Sequence, residues 1–427
     1  MSEVLDELAR TPAPPSRLRP ADIYSQGRRR HRRLVTAALT SASAVVVTLV
    51  AGVALATAGG HGDPARPEPQ SGQTSRPVQP SPVVRSYDGT VAATASGDAK
   101  HLYAVVLDCA TPTTDWYECT RDLVRSDDAG RTWQMRSRDI GSFDSIRLTA
   151  LTTDILVAHA EKLISPGALN ESGYYVSLDG GRTWKPVEQQ NTPTPAVTAE
   201  GWIEWMYLPD GGGLRAGDPR LARSAPLANP PALKDAQPFL RTATGSLWIA
   251  GNDPGTGLPA VAVSNDAGRS WSTHVFTDIP VSATSGYSEG TATFDGHTGY
   301  MVSVTGHGID GGGKVWVHRT TDGGQTWQQV DPGGTAPWSY GGGASYVTPD
   351  GAHVILDQGR DDKQSFWISR DGGARYTKVT LTGLPEDRIG MGMPRAIPGG
   401  GYLANADDAV YVSTDGLQWR RAVPQVS

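Results

Sequence analysis

Ser177-Leu178-Asp179-Gly180-Gly181-Arg182-Thr183-Trp184 decides the fold, because the chain keeps returning to it. Ser126 to Trp133 reads Ser-Asp-Asp-Ala-Gly-Arg-Thr-Trp, Ser264 to Trp271 reads Ser-Asn-Asp-Ala-Gly-Arg-Ser-Trp, and Thr320 to Trp327 reads Thr-Thr-Asp-Gly-Gly-Gln-Thr-Trp. Ser369 to Tyr376 keeps the frame with tyrosine last, and Ser413 to Trp419 keeps Ser-x-Asp-Gly and the tryptophan in one residue fewer. Six copies of one short pattern point to a repeat architecture. Each reads as a tight hairpin turn. β-rich runs such as Val261-Ala262-Val263 and Phe366-Trp367-Ile368 precede it. The aspartate can accept backbone N–H groups further round the turn, the glycine supplies a positive φ, and the terminal aromatic plugs the turn onto the sheet.

This pattern resembles the Asp-box, or bacterial neuraminidase repeat. The resemblance implies a β-propeller in which each box joins the third and fourth strands of a blade, on the face away from the ligand site. The structural residues so implied are Asp128, Trp133, Asp179, Trp184, Asp266, Trp271, Asp322, Trp327, Asp371, Tyr376, Asp415 and Trp419. The box aspartates are 51, 87, 56, 49 and 44 residues apart. Four-stranded blades run to about 40–50 residues, so 87 is about two. A degenerate unit is expected near Ser224, with Leu221 to Ser224 as its third strand and Pro226 in place of the aspartate. That gives an all-β, seven-bladed propeller over residues 86–427; six blades with one long insertion is the alternative count. Short strands without helical period argue against a mixed α/β fold. In blade two they are expected at 146–152, 155–160, 174–177 and 184–187, and in blade six at 344–347, 354–357, 366–369 and 376–381.

Charge divides the chain of 427 residues. The net charge is −6, with eight arginines and four acids in residues 1–33 and no charge from Leu34 to Gly60, so the remainder carries −10. This balance gives no support to nucleic-acid binding. Arg28 to Arg33, broken only by His31, stands directly before the uncharged run. About 20 apolar residues cross a bilayer, so residues 34–58 are expected to form a single transmembrane helix. The flanking arginines place the basic tail, 1–33, inside and the large domain outside the cytoplasm. Secretion after cleavage at Ala56-Thr57-Ala58 is the other reading, and it too exports the domain. Residues 59–85, with six prolines among Gly, Ser and Gln, read as a disordered spacer.

The two cysteines, Cys109 and Cys119, bracket a nine-residue loop of blade one; outside the cytoplasm they are expected to form a disulfide. Nine scattered histidines give no ligand spacing, so neither a metal nor another cofactor is expected. The face opposite the boxes, where the resembled families bind ligands, gathers an acidic set: Asp115, Trp116, Tyr117, Glu118, Glu161, Glu171, Asp253, Asp310, Asp361, Asp362, Asp407 and Asp408. Carboxylates around an opening suit a cation, a basic peptide or a glycan's hydroxyls, and Trp116 and Tyr117 suit stacking. The same residues also read as solvated loops that keep an acidic domain soluble. A sialidase would need an arginine triad, because only the guanidinium fork pairs bidentately with a carboxylate, together with a Tyr–Glu pair. The Phe/Tyr-Arg-Ile-Pro motif of that family is absent. The nearest arginine contexts are Arg147 and Arg395, and the nearest Tyr–Glu pair is Tyr287 and Glu289 in a between-blade loop. The expected function is therefore a membrane-tethered, non-catalytic propeller that binds a protein or glycan outside the cell; the alternative is a sialidase-like glycoside hydrolase with a diverged site.

Overall fold

Thirty strands and no helix account for the regular structure of the described residues in a computed structural model. These residues are 85–86, 90–109, 119–141, 145–162, 171–206, 213–236, 240–242, 244–279, 287–293, 295–305, 314–334, 345–358, 364–385, 392–397, 400–406 and 409–426. The expected basic tail, transmembrane run and proline-rich spacer lie outside them up to residue 84; Arg85, expected as the last residue of the spacer, belongs instead to a strand and pairs with Val426. Among the described residues no helix is long and apolar enough to cross a membrane.

Seven four-stranded sheets follow one another along the chain. After the short β1 (Arg85–Ser86), blade one is β2 (Val91–Ser96), β3 (Leu102–Asp108), β4 (Thr120–Ser126) and β5 (Gln134–Ser137). Blade two is β6 (Ser145–Ala150), β7 (Leu156–Lys162), β8 (Glu171–Ser177) and β9 (Lys185–Pro186). Blade three takes β10 (Glu188–Gln189), β11 (Trp202–Met206), β12 (Gly213–Asp218) and β13 (Arg223–Pro226). Blade four is β14 (Leu240–Arg241), β15 (Leu247–Asn252), β16 (Pro259–Ser264) and β17 (Ser272–Val275). Blade five is β18 (Tyr287–Thr293), β19 (Gly299–Thr305), β20 (Lys314–Thr320) and β21 (Gln328–Val330). Blade six is β22 (Ser345–Val347), β23 (His353–Gln358), β24 (Gln364–Ser369) and β25 (Thr377–Val379). Blade seven is β26 (Gly392–Ala396), β27 (Tyr402–Ala406), β28 (Ala409–Ser413) and β29 (Arg420–Ala422), and β30 (Gln425–Val426) pairs back onto β1. The count is seven, not six. Strand bounds in blades two and six fall within a few residues of expectation, the largest offset being β8, which begins at Glu171 rather than Tyr174.

The ring closes through polar and apolar contacts between its first and last blades. Thr94 Oγ1 donates to Asn405 Oδ1 at 3.2 Å, and Arg395 Nη2 donates to the Thr94 carbonyl and, at 3.0 Å, to its hydroxyl. Leu102, Val106 and Trp133 of blade one share a core with Leu403, Val410 and Ala422 of blade seven. Closure leaves only short, protected edges.

Each box is a local hydrogen-bond circuit. In blade two Ser177 Oγ donates to Asp179 Oδ1 at 2.8 Å and accepts the Gly181 N–H at 2.8 Å. Asp179 Oδ1 accepts the N–H groups of Arg182 and Thr183, and Oδ2 accepts the Thr183 hydroxyl at 2.7 Å. Blade one repeats these bonds around Asp128, and blade five around Asp322. Gly181 has a φ of 85°, and a Cβ there would stand 2.1 Å from Leu123 in the preceding blade. The glycine thus serves the turn and the close approach of two blades together.

Blade three departs from the expected pattern. The third strand is Arg223–Pro226, not Leu221 to Ser224, and no degenerate box follows it. Its outer strand, β10, comes from upstream and lies parallel to β13, with Glu188 opposite Arg223. A box joins a third strand to a fourth; here no such join exists, so there is no turn for a box to build. The blade is also inverted. In blade two, β6 runs toward the box, since Ala150 pairs with Leu156 and Leu156 with Ser177. In blade three Trp202, at the start of β11, clusters with Val157 and Val176 beside that box. β11 therefore leads away from the box face.

Candidate functional site

Of the residues expected on the binding face, Asp253, Glu161 and Glu171 are among the described ones. Asp253 lies in the loop between β15 and β16, at the end opposite the boxes. Its Oδ2 accepts both the N–H and the hydroxyl of Thr256 at 2.7 Å, and the Asp253 carbonyl accepts the Gly257 N–H at 2.8 Å. The Thr256 hydroxyl and N–H hold its carboxyl below the usual range. Asp253 thus shapes its own turn. Asp115, Trp116, Tyr117, Glu118, Asp310, Asp361, Asp362, Asp407 and Asp408 lie outside the described residues. Glu161 and Glu171, expected in the loop, are instead rung partners of the β7–β8 ladder: Glu161 opposite Ser172, Glu171 opposite Lys162. Tyr287 and Glu289 are not in a between-blade loop either; both belong to β18, the innermost strand of blade five. The loop is shorter than the sequence suggested because the strand begins at Tyr287.

Cys109 and Cys119 are disulfide-bonded, with Cα atoms 4.3 Å apart, and tie the base of the loop between β3 and β4. Among the described residues no group of three or more His, Cys, Asp or Glu is placed to hold a metal ion.

A polar cluster that the sequence did not flag fills the seam between blades two and three. Glu204, in the middle of β11, has a side chain only 2% exposed. Its Oε2 accepts the Trp202 indole N–H at 3.1 Å, while Oε1 has no hydrogen-bond partner among the described residues and faces Arg215 Nε at 3.8 Å. Burial pushes the Glu204 carboxyl up, against the pull of Trp202, Ser224, Arg215 and Tyr174. Arg215 donates to the carbonyls of Gln190 and Ser224, each at 2.8 Å, and so pins the incoming outer strand to β13. Toward solvent, the His159 ring packs on Tyr174 at 4.4 Å and its Nδ1 meets Arg147 Nη2 at 2.8 Å. Arg147 also reaches Glu161 at 3.3 Å. Burial, then Arg147, holds His159 below its ordinary value, and burial raises Tyr174. A carboxylate amid aromatic residues reads from sequence as surface; only its distant partners mark it as buried.

Three innermost strands carry arginines: Arg147 on β6, Arg241 on β14 and Arg395 on β26. They stand at different heights. Arg241 pairs with Leu247, the rung that carries the box serine; Arg395 pairs with Leu403, one rung further; Arg147 pairs with His159, three rungs from its box. Their acceptors differ as well. Arg241 donates to the Gly201 carbonyl at 3.0 Å, Arg395 to Thr94, and Arg147 meets His159 and Glu161.

The BNR/Asp-box repeat model matches residues 175–186, the box of blade two. No curated protein matches the chain. Among solved structures, a GH74 xyloglucanase from Xanthomonas campestris is similar at 18% identity and a TM-score of 0.47, over 80% of this chain and 56% of that one. The chain thus spans little more than half of that enzyme's length. An α-L-arabinanase from Penicillium chrysogenum is similar at 14% identity and a TM-score of 0.40, over 81% and 99%. YCF48, solved bound to a D1 peptide, is similar at 14% identity and a TM-score of 0.32, over 79% and 84%. Likenesses this remote transfer no activity. Seven four-stranded blades, six of them carrying a box and one of those boxes matched by the repeat's own model, make this chain an Asp-box β-propeller.

Proposed function

We propose that this chain is a propeller anchored in a membrane, displayed outside the cytoplasm, and that it binds a protein or glycan partner without transforming it. The uncharged run at 34–58 behind Arg28 to Arg33 supports the anchor and its orientation. The Cys109–Cys119 bond supports an oxidising compartment. The observation that carries the non-catalytic reading is the dispersal of Arg147, Arg241 and Arg395 over three heights and three sets of acceptors. A carboxylate clamp needs such forks aimed at one point. The test is retention of a partner from an extracytoplasmic extract by the immobilised protein, with parallel assay on aryl glycosides. Capture without release of the aryl group is expected; turnover of any glycoside would sink the reading.

A sialidase-like hydrolase with a diverged site is the second reading, and one observation favours it. The Tyr174 phenol interacts with the Glu204 carboxylate, with Arg147 one residue away across the His159 ring. If that pair were catalytic, Tyr174→Phe would abolish turnover of an aryl sialoside while leaving the fold intact.

A further inference from the structure

Blade six has the one box that ends in tyrosine, and this exchange is coupled to a second one. Beneath the box aromatic lies the first residue of the blade's second strand, the one registered with the box serine. It is Leu102 with Trp133, Leu156 with Trp184 and Leu247 with Trp271. In blade six it is His353, and Tyr376 replaces the tryptophan. The Tyr376 hydroxyl meets His353 Nδ1 at 2.8 Å, so a polar pair stands where three other blades have an apolar one. The imidazole also lies flat on Tyr300 of blade five, with ring centroids 4.1 Å apart and planes 8° apart. It is fully buried, and its Nε2 has no hydrogen-bond partner among the described residues.

We propose that the seam between blades five and six is an acid-operated latch, in which protonation of His353 releases blade six while the other blades stay folded. The neutral imidazole bonds Tyr376 at Nδ1 and already leaves Nε2 unpaired among the described residues; the imidazolium carries N–H groups at both nitrogens and adds a buried charge whose second N–H needs an acceptor. Among the described residues the charged groups around the stack are Arg319 and Asp371, which act on Tyr300, and Asp371 again on Tyr376. Arg319 opposes another cation, and Asp371 is already engaged by Ser369 and the Arg375 N–H. Burial holds the imidazole at about 3, against an ordinary value of about 6.5. With the folded value below the unfolded one, the stability of this seat is complete above about pH 6.5 and drains as pH falls toward 3, so the opening constant rises about tenfold per unit in that window. The seam between blades four and five is better prepared for a proton, because His318 Nε2 has Asp278 Oδ2 at 2.8 Å and His274 is only half-buried.

Hydrogen exchange on the full-length protein, corrected for intrinsic rates, tests this between about pH 7.5 and about pH 5. Protection of Ser345–Val379 should fall about 30-fold more than that of Leu102–Ser126. His353→Leu with Tyr376→Trp installs the layout of blades one, two and four and should remove the difference. A uniform loss across all blades, or a difference that survives in the double variant, overturns the latch. An NMR titration of the unaltered protein gives an independent check: His353 should stay neutral for as long as the seam is protected, and an ordinary titration with protection intact also overturns the proposal.

Discussion

Thr183 Oγ1 donates to Asp179 Oδ2 at 2.7 Å, and the presence of this bond divides the six boxes into two groups. Thr132, Ser270 and Thr326 make the same bond in blades one, four and five. Blade six has Arg375 at that position and blade seven is one residue short. Asp266 and Asp322, held by the hydroxyls of Ser270 and Thr326, are pulled down to about 2. Burial works against Asp179, and the Thr183 hydroxyl and N–H overcome it to the same value. Asp371 and Asp415 are lowered without that bond. Thr183→Val should therefore cost about 1 kcal/mol in a urea titration. Arg375→Thr should add about 0.5–1 kcal/mol, because Arg375 is 82% exposed and its 3.7 Å ion pair with Asp371 contributes little. A destabilised Arg375→Thr variant would count against the hydroxyl as the operative bond.

The same carboxylates set the acid limit of the ring. Their folded pKa values are depressed, so their contribution is present above about pH 4, the unfolded value, and is lost as pH falls through about 2. Stability should thus decline in two windows: the box aspartates below about pH 4, and the buried His353 already below about pH 6.5. Asp179→Asn should make the lower window shallower, because three other box aspartates lowered to about 2 still titrate there, and should leave the upper one unchanged in a pH series of denaturation midpoints. A flattened upper window would show that the two are not separate.

Two boxes carry a correctable strain. Ala129 and Ala267 have φ values of 61° and 62°, where Gly180, Gly323 and Gly372 stand in blades two, five and six. A Cβ in the left-handed region costs about 1 kcal/mol, partly offset by the lower unfolded-state entropy of alanine. Ala129→Gly and Ala267→Gly should each raise stability by about 0.5 kcal/mol, and by about 1 kcal/mol together, since the sites lie in separate blades. Thermal midpoints of the two single variants and their combination measure this directly.

What could be read from the sequence was what is settled within a few residues. The Ser177–Asp179–Gly181–Thr183 circuit is complete inside eight positions, so the pattern alone announces it. Blade three is organised by contacts that a linear pattern does not carry. Its outer strand meets it in parallel from Glu188, far upstream of Arg223, and Arg215 clamps the two. The 87-residue gap between Asp179 and Asp266 reported a missing box correctly. It did not report that the blade was inverted. The seam cluster was hidden for the same reason: Tyr174, Glu204 and Arg215 come from three strands of two blades, and each alone looks like an ordinary surface residue.

That cluster yields the sharpest stability test. Glu204 and Arg215 are 2% and 7% exposed, so each charge depends on the other for compensation. Removing one partner of such a pair leaves a buried charge and costs about 3–5 kcal/mol, whereas replacing both by neutral groups of similar size is often close to neutral. Arg215→Met should cost the most, because it strands the carboxylate and also frees the Gln190 and Ser224 carbonyls that hold β10 in place. Glu204→Gln keeps an acceptor for the Trp202 indole, and Arg215 retains its two carbonyl acceptors, so its cost should be smaller, about 1–3 kcal/mol. The double variant should recover part of the Arg215→Met loss, giving a coupling energy above about 1 kcal/mol. Additive losses in urea titrations would mean that Arg215 acts only as a clamp on the incoming strand and that the 3.8 Å approach to Glu204 is incidental.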